Sequence, residues 1–415
     1  MFRKVILGIS GGVDSAVAGY LLKQKGFDVR AVFMKNWDLV NETGFCSAEK
    51  DWEDTQYVCD KVQIPIQRIN FVKQYWTDVF ETTLQLYQNG QTPNPDVYCN
   101  KYIKFGAFYQ YAKENLSADA IATGHYARTS FGNFLQDFDP NQNVKLLQAI
   151  DRRKDQTFFL SQIPQDALRN TMFPIGNYLK SEVKKIAYEI GLESIAKKGE
   201  SMGICFVGKR KFSDFISDYV TEIRGDFVNI ETGRIVTQHK GIHNYTIGQK
   251  INYGGQKEAL FTVHKMSDKK TILVAPGRNH PTLLTDLFYT EQPHWINRSP
   301  FNGNVVVRAS FRFQHGHRLE VCDLVERDGG LLVKLDNPVR AICPGQFSVF
   351  YRDNECLGSA KIHSTGPHMR NAFNIQNEKS DDETMVSLAK RVRQQYMKEK
   401  EDHINESERL AEKLK

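Results

Sequence analysis

No stretch of this 415-residue chain holds the roughly 18 uninterrupted apolar residues that a membrane-spanning helix requires. That speaks against a membrane-embedded enzyme. A strong charge of one sign is missing as well. Lys and Arg total 55 against 49 Asp and Glu, a net charge of +6, which permits a nucleic-acid partner without demanding one. Cysteine is sparse and unpaired in pattern. The seven cysteines, at 46, 59, 99, 205, 322, 343 and 356, include no C-x-x-C, so zinc knuckles and thioredoxin-like redox motifs are excluded. An odd number of thiols, with no secretory pattern in the opening residues Phe2–Ile9, points to a reducing compartment. There are no internal repeats.

What is present divides into textures. Through about residue 220, apolar runs alternate with helical periodicity: Val5–Ile9, Val29–Met34, Ile66–Phe71 and Ala118–Thr123 as strands, Lys180–Ile190 as a helix stopped by Gly191. That alternation predicts βαβ units, a parallel sheet with helices on both faces. From 221 the chain turns to short strand-like runs between turns: GDFVNI, TGRIV, HNYTIGQ, ALFTVHKM and TILVAPG. A second set follows, NVVVRASFRF, RLEVCDLV, LLVKLD, FSVFY and ECLGSAKI, with His280–Arg298 read as a connector. The expected domains are 1–220 (α/β), 221–280 and 281–363 (two small β-rich or barrel units), and 364–415, a polar tail. In that tail Met385, Leu388, Val392 and Tyr396 fall at helical spacing, so it reads as disordered or as a lone surface helix.

The sharpest motif is Ser10-Gly11-Gly12-Val13-Asp14-Ser15, set between a strand and a helix. Adjacent glycines let backbone amides close on an anion, and the helix N-terminus adds unpaired N–H groups and a positive dipole end. Ser10 and Ser15 supply hydroxyls, and Asp14 is a candidate helix cap or Mg²⁺ ligand. Neither the Walker A lysine nor a G-x-G-x-x-G is present. The bland reading is a glycine turn that only caps a helix. The full S-G-G-x-D-S resembles the PP-loop of ATP pyrophosphatases, which cleave ATP between the α and β phosphates.

Two cysteines stand in distinctive surroundings. In GQTPNPDVYCNKYIKFG (90–106), Pro93 and Pro95 stiffen the chain, Asp96 precedes Cys99 by one helical turn, and Lys101 and Lys104 are placed to lower a thiol pKa. In ESMGICFVG (200–208), Cys205 lies between glycines and apolar residues. Taken alone, each cysteine reads as structural.

The PP-loop, the TPNPD-x-x-C-N segment and the GICF segment, in that order, closely resemble the tRNA-specific 2-thiouridylase family, nearest its mitochondrial, animal-type branch. The likeness covers residues 3 to 361. It implies an ATP-dependent sulfurtransferase that 2-thiolates the wobble uridine of tRNA, with ATP and Mg²⁺ as cofactors and a persulfide as sulfur source. It assigns ATP to Gly8, Ile9, Ser10, Gly11, Gly12, Val13, Asp14, Ser15, Met34 and Gly124. Asn94, Pro95 and Asp96 would grip the target base. Cys99 would be the nucleophile, Cys205 the persulfide carrier and Asp96 the general acid/base. His125, Lys154, Asp155, Gln156, Arg312, Phe313 and Gln346 stand at tRNA contacts, although a Tyr is more usual in bacterial members where this chain has Phe313. Implied partners are the tRNA anticodon arm and a sulfur-relay protein or cysteine desulfurase. The implied location is mitochondrial, with the cytoplasm as alternative. The rival readings are a PP-loop ligase acting on a small molecule and a thiolase whose Asp96, Cys99 and Cys205 hold an iron–sulfur cluster. Fully reduced, anaerobic protein would be brown in the cluster case and colourless otherwise.

Overall fold

The computed structural model describes residues 2–37, 47–199, 212–255, 258–266, 270–327 and 329–366. Cys46, Cys205 with the rest of its 200–208 segment, and the expected tail helix lie outside the described residues.

Four strands build most of the first sheet: β1 (Lys4–Ile9), β2 (Asp28–Lys35), β3 (Ile66–Asn70) and β4 (Ala120–Thr123). With Thr171–Met172 they lie in the order β3-β2-β1-β4-Thr171, every pairing parallel. Val5, Ile6 and Leu7 are wholly buried, as expected of a central strand covered on both faces. The chain runs outward from β1 to β2 and β3, then returns to β4 on the other side of β1. Right-handed crossovers therefore lay the two sets of helices on opposite faces and open a crevice beyond the carboxyl ends of β1 and β4. Helix α1 (Val13–Gln24) begins in that crevice, directly after β1.

The central unit is a four-stranded sheet, Leu260–Met266, Thr271–Pro276, Gly225–Asn229 and Ile235–His239. Here the sequence reading needs correction at HNYTIGQ. Only a 3₁₀ turn, Ile242–Asn244, forms there, and Ile242 and Tyr245 cap the small core instead of joining a ladder.

The last unit is a closed six-stranded barrel made by Leu284–Thr290, Val306–Arg312, Glu320–Arg327, Gly330–Arg340, Phe347–Arg352 and Glu355–Thr365. Closure comes from Leu284–Thr290, which pairs with both Gly330–Arg340 and Glu355–Thr365. That stave sits inside the stretch expected to be a connector. Its burial of Leu287, Phe288 and Tyr289 is what makes it a strand. The α/β unit also extends this sheet. Its hairpin Ala127–Thr129/Leu146–Gln148 pairs through Leu146 and Leu147 with Cys356 and Glu355. Phe347, Val349, Tyr351 and Cys356 share one buried cluster with Tyr98, Cys99 and Phe158. Barrel and α/β unit are thus packed as one core at the cysteine helix.

Candidate active site

The loop after β1 is built for backbone, not side chains. Gly11 has φ +69°, and a Cβ there would lie 2.8 Å from the Asp51 carbonyl oxygen, so glycine is required twice over. No side chain caps α1. Ser15 Oγ turns back into the loop, donating to the Gly12 carbonyl at 3.1 Å and accepting from Ser10 N at 3.3 Å. The first-turn amides and the dipole of a 12-residue helix therefore face the crevice. Gly8 is held tight by Met34 and Phe108, at 3.2 and 3.3 Å from the position of a Cβ. From the other side of the crevice, Gly124 presses on the loop. A Cβ there would lie 2.5 Å from Ser15 N. Gly124→Ala should push the loop off its geometry and weaken ATP binding by about tenfold or more, which calorimetry would measure. Unchanged affinity would contradict this placement.

Asp14 does not cap the helix. Its carboxylate receives Lys180 Nζ on both oxygens at 2.7 Å and Tyr126 Oη at 2.9 Å. Lys180 and Tyr126 are the residues that sequence reasoning missed. A signal for Lys180 did exist. It is the first residue of the Lys180–Glu189 helix, where a cation opposes the helix dipole and a functional reason is called for. A second half-buried charge pair, Lys198 with Asp54, sits beside Gly11, since a Cβ on Gly11 would lie 3.2 Å from Asp54 Cβ.

The cysteine helix starts where Asn94 Oδ1 accepts from Val97 N and Pro95 takes the first helical position. From Cys99 to Ala107 it widens to the i→i+5 pattern, a distortion found often at functional sites. Cys99 is buried. Burial raises the Asp96 carboxyl above its usual range, and the Lys104 ammonium opposes that rise. The two lysines separate in role. Lys101 goes to Gln162 Oε1 at 3.1 Å and over the Tyr102 ring, while Lys104 goes to His125 Nε2 at 3.3 Å.

His125 is buried, and desolvation together with Lys104 drives its pKa well below 6.5. It is therefore neutral at pH 7. Nε2 accepts from Lys104, which leaves the ring proton on Nδ1 for Thr123 Oγ1 at 2.8 Å. The tip of β4 thus joins two sites: Gly124 and Tyr126 to the phosphate loop, His125 to the cysteine helix. Burial also lowers His239, His243, His294 and His315. In the unfolded chain imidazole titrates near 6.5, so below that pH the unfolded state takes up more protons. The stability present above pH 6.5 is lost as pH falls through it. Thermal melts at pH 5.5 should lie below those at pH 7.5, and a flat profile would contradict neutral burial.

The expected RNA contacts divide. Asp155 is 1% exposed, and Arg312 Nη2 meets its carboxylate at 2.6 Å. Thr157 Oγ1 donates to Asp155, Arg312 Nε to Tyr351 Oη, and His315 Nε2 to the Asp155 carbonyl. Phe313 is 1% exposed. In this arrangement all three side chains face protein: Asp155 and Arg312 pin the α/β unit to the barrel, and Phe313 packs in the barrel's own core. A buried guanidinium needs such a fully satisfied partner. His125, too, has both ring nitrogens engaged within the protein. Gln156 Oε1 accepts from Tyr126 N, and Gln346 Nε2 donates to the Pro93 carbonyl at 3.3 Å. Lys154, half-buried, follows two exposed arginines, Arg152 and Arg153. Among the described residues no group of three or more His, Cys, Asp or Glu side chains is arranged to hold a metal ion.

Family models match the chain in three consecutive pieces. These are a tRNA methyl transferase HUP domain (residues 3–209), a tRNA methyl transferase PRC-barrel domain (213–276) and an aminomethyltransferase β-barrel domain (285–362). Among curated relatives, the mitochondrial tRNA-specific 2-thiouridylase 1 of Drosophila melanogaster is 46% identical over 391 residues, covering 93% of this chain and 100% of that protein. Its Homo sapiens counterpart is 47% identical over 393 residues, covering 90% and 93%. That of Danio rerio is 44% identical over 400 residues, covering 92% and 95%. Identity at this level, sustained across all three structural units, means that the chain belongs to the tRNA-specific 2-thiouridylase family.

Proposed function

We propose that this protein is a mitochondrial, ATP-dependent sulfurtransferase that converts the wobble uridine of tRNA to 2-thiouridine, and that its substrate uridine carries a 5-taurinomethyl group. The observation that carries the reading is the β4 tip. One tetrapeptide, Thr123–Tyr126, touches the phosphate loop and the Cys99 helix together, as a reaction needing both ATP and a thiol requires. Glycines without room for a Cβ, uncapped helix amides and Lys180 fit a triphosphate. When bound, Mg²⁺ would offset phosphate charge, with Asp14 as the carboxylate at hand beside Lys180.

The uridine C2 oxygen, a poor leaving group, attacks the α-phosphorus of ATP and pyrophosphate departs into the loop. A persulfide on Cys205, loaded by a sulfur-relay protein or cysteine desulfurase, attacks C2 through its terminal sulfur, and AMP leaves with the original oxygen. The Cys99 thiolate then attacks Cys205 Sγ and expels the C2-bound sulfur as the thiocarbonyl. A Cys99–Cys205 disulfide remains, which an external thiol reduces. Asp96 handles the proton at the base, and Asn94 and Pro95 hold that base, splayed from the anticodon loop. Two anchors support the involvement of Cys205. Lys198, bound to Asp54 beside the phosphate loop, precedes its segment. Phe212, whose ring lies 5.0 Å from that of Tyr87 on the helix leading to the Thr92–Asp96 segment, follows it. The test is isotopic. With ¹⁸O at C2 of the target uridine, the AMP released during thiolation should be heavier by one ¹⁸O. Unlabelled AMP would refute oxygen activation.

A further inference from the structure

All three units meet at one turn, Ala341–Gln346, next to the segment that leads to Asp96 and Cys99. On the barrel side, Gly345 N donates to the Ile362 carbonyl at 2.8 Å and Ile362 N to the Gln346 carbonyl at 2.7 Å. On the central side, the buried Cys343 thiol reaches the Ile247 carbonyl at 3.8 Å, and Arg340 donates to the carbonyls of Gly248 and Arg278 at 2.9 and 2.8 Å. On the α/β side, Thr92 N donates to the Pro344 carbonyl at 2.9 Å and Gln346 Nε2 to the Pro93 carbonyl at 3.3 Å. Gly345 has φ +91°, and a Cβ there would lie 2.9 Å from Gln91 Cβ and from Thr92 N, so the turn is seated on that segment with no space between.

We propose that this turn is a strut: Gly345 and Gln346 are positioning residues that act through Thr92 and Pro93 to set Asp96 and Cys99. Pro93 and Pro95 have fixed φ, so a shift imposed at residues 92–93 is passed on to the start of the cysteine helix rather than absorbed. Phe347, directly after the turn, braces the same helix edge-on against Tyr98 at 5.5 Å. The β units, bound to the same turn, thereby hold the base-gripping segment in a fixed position. This rests on the proposed function for its substrate. It differs from a direct RNA contact by Gln346, because it works through the bond from Gln346 Nε2 to the Pro93 carbonyl.

The test compares full-length Gly345→Ala and Gln346→Leu with the parent protein, by steady-state thiolation of tRNA and by mass-spectrometric alkylation rates at Cys99 with iodoacetamide. A strut predicts that kcat falls about 10- to 100-fold in both variants while KM for tRNA stays within about threefold. It also predicts a several-fold change in Cys99 alkylation without ATP or RNA. A raised KM with unchanged kcat in Gln346→Leu would make Gln346 an RNA contact and overturn the proposal, as would parent-like behaviour in both assays. If Gly345→Ala fails to fold, Gln346→Leu alone decides, since its side chain is only half-buried. If the parent thiolates nothing, the functional reading falls, and the alkylation rates still judge the strut.

Discussion

Cys99→Ser is expected to abolish thiolation, by at least about a thousandfold, while ATP binding remains within about twofold of the parent. Serine nearly preserves the volume of a buried thiol, so the cluster around Tyr98, Ile103 and Phe347 should tolerate it. What it removes is sulfur chemistry: a hydroxyl neither ionises near neutral pH nor accepts a disulfide. The phosphate loop is reached from β1 and β4 and has no part in this change. Cys205→Ser should give the same loss, because the two thiols serve consecutive steps of one transfer. 2-Thiouridine yield with a persulfide donor and calorimetric ATP binding are the readouts. Normal yield from either variant would end the two-cysteine mechanism.

Lys180→Met should cut tRNA-dependent conversion of ATP to AMP by about 10²- to 10³-fold, the range seen when one electrostatic partner of a developing charge is removed. The loss has two sources. The crevice loses its cation, and Asp14, previously met on both oxygens, is left as an uncompensated carboxylate beside incoming phosphates. Lys180→Met combined with Asp14→Asn should therefore recover part of the ATP affinity lost in Lys180→Met alone. Affinity for tRNA should stay near that of the parent, since neither Lys180 nor Asp14 is among the residues placed at tRNA contacts. Loss of tRNA binding with normal AMP formation would reverse these assignments.

Which features were legible in the sequence follows from how local they are. Ser10–Ser15 is one contiguous turn whose backbone does the work, so its residues announce it. Asp96 and Cys99 share one helical turn and were legible together. Lys180 was not, because its partner Asp14 is 166 residues away and only the folded sheet brings them together. The same distance problem hides the pairing of Asp155 with Arg312. The family resemblance places both at tRNA contacts, and only the folded chain shows that these two, 157 residues apart, bury each other. His125 stood at a strand end, where its burial could not be seen. The barrel stave Leu284–Thr290 was hidden because LTDLFYT loses strict alternation: Phe288 enters the barrel core while Leu287 and Tyr289 pack with Val325 and Leu332 on the other face. HNYTIGQ erred in the opposite direction, with strand-like residues spent on a core cap.

The central claim, that ATP drives sulfur onto the uridine base, is tested most directly by nucleoside mass analysis. Unmodified and 5-taurinomethylated mitochondrial tRNAs would be incubated with the full-length protein, ATP, Mg²⁺, a persulfide donor and a thiol reductant, then digested and measured. 2-Thiouridine should appear at the wobble position, more with the taurinomethylated substrate, and none when ATP is omitted. Sulfur incorporation that proceeds without ATP, or uridine left unchanged with every component present, would contradict the claim.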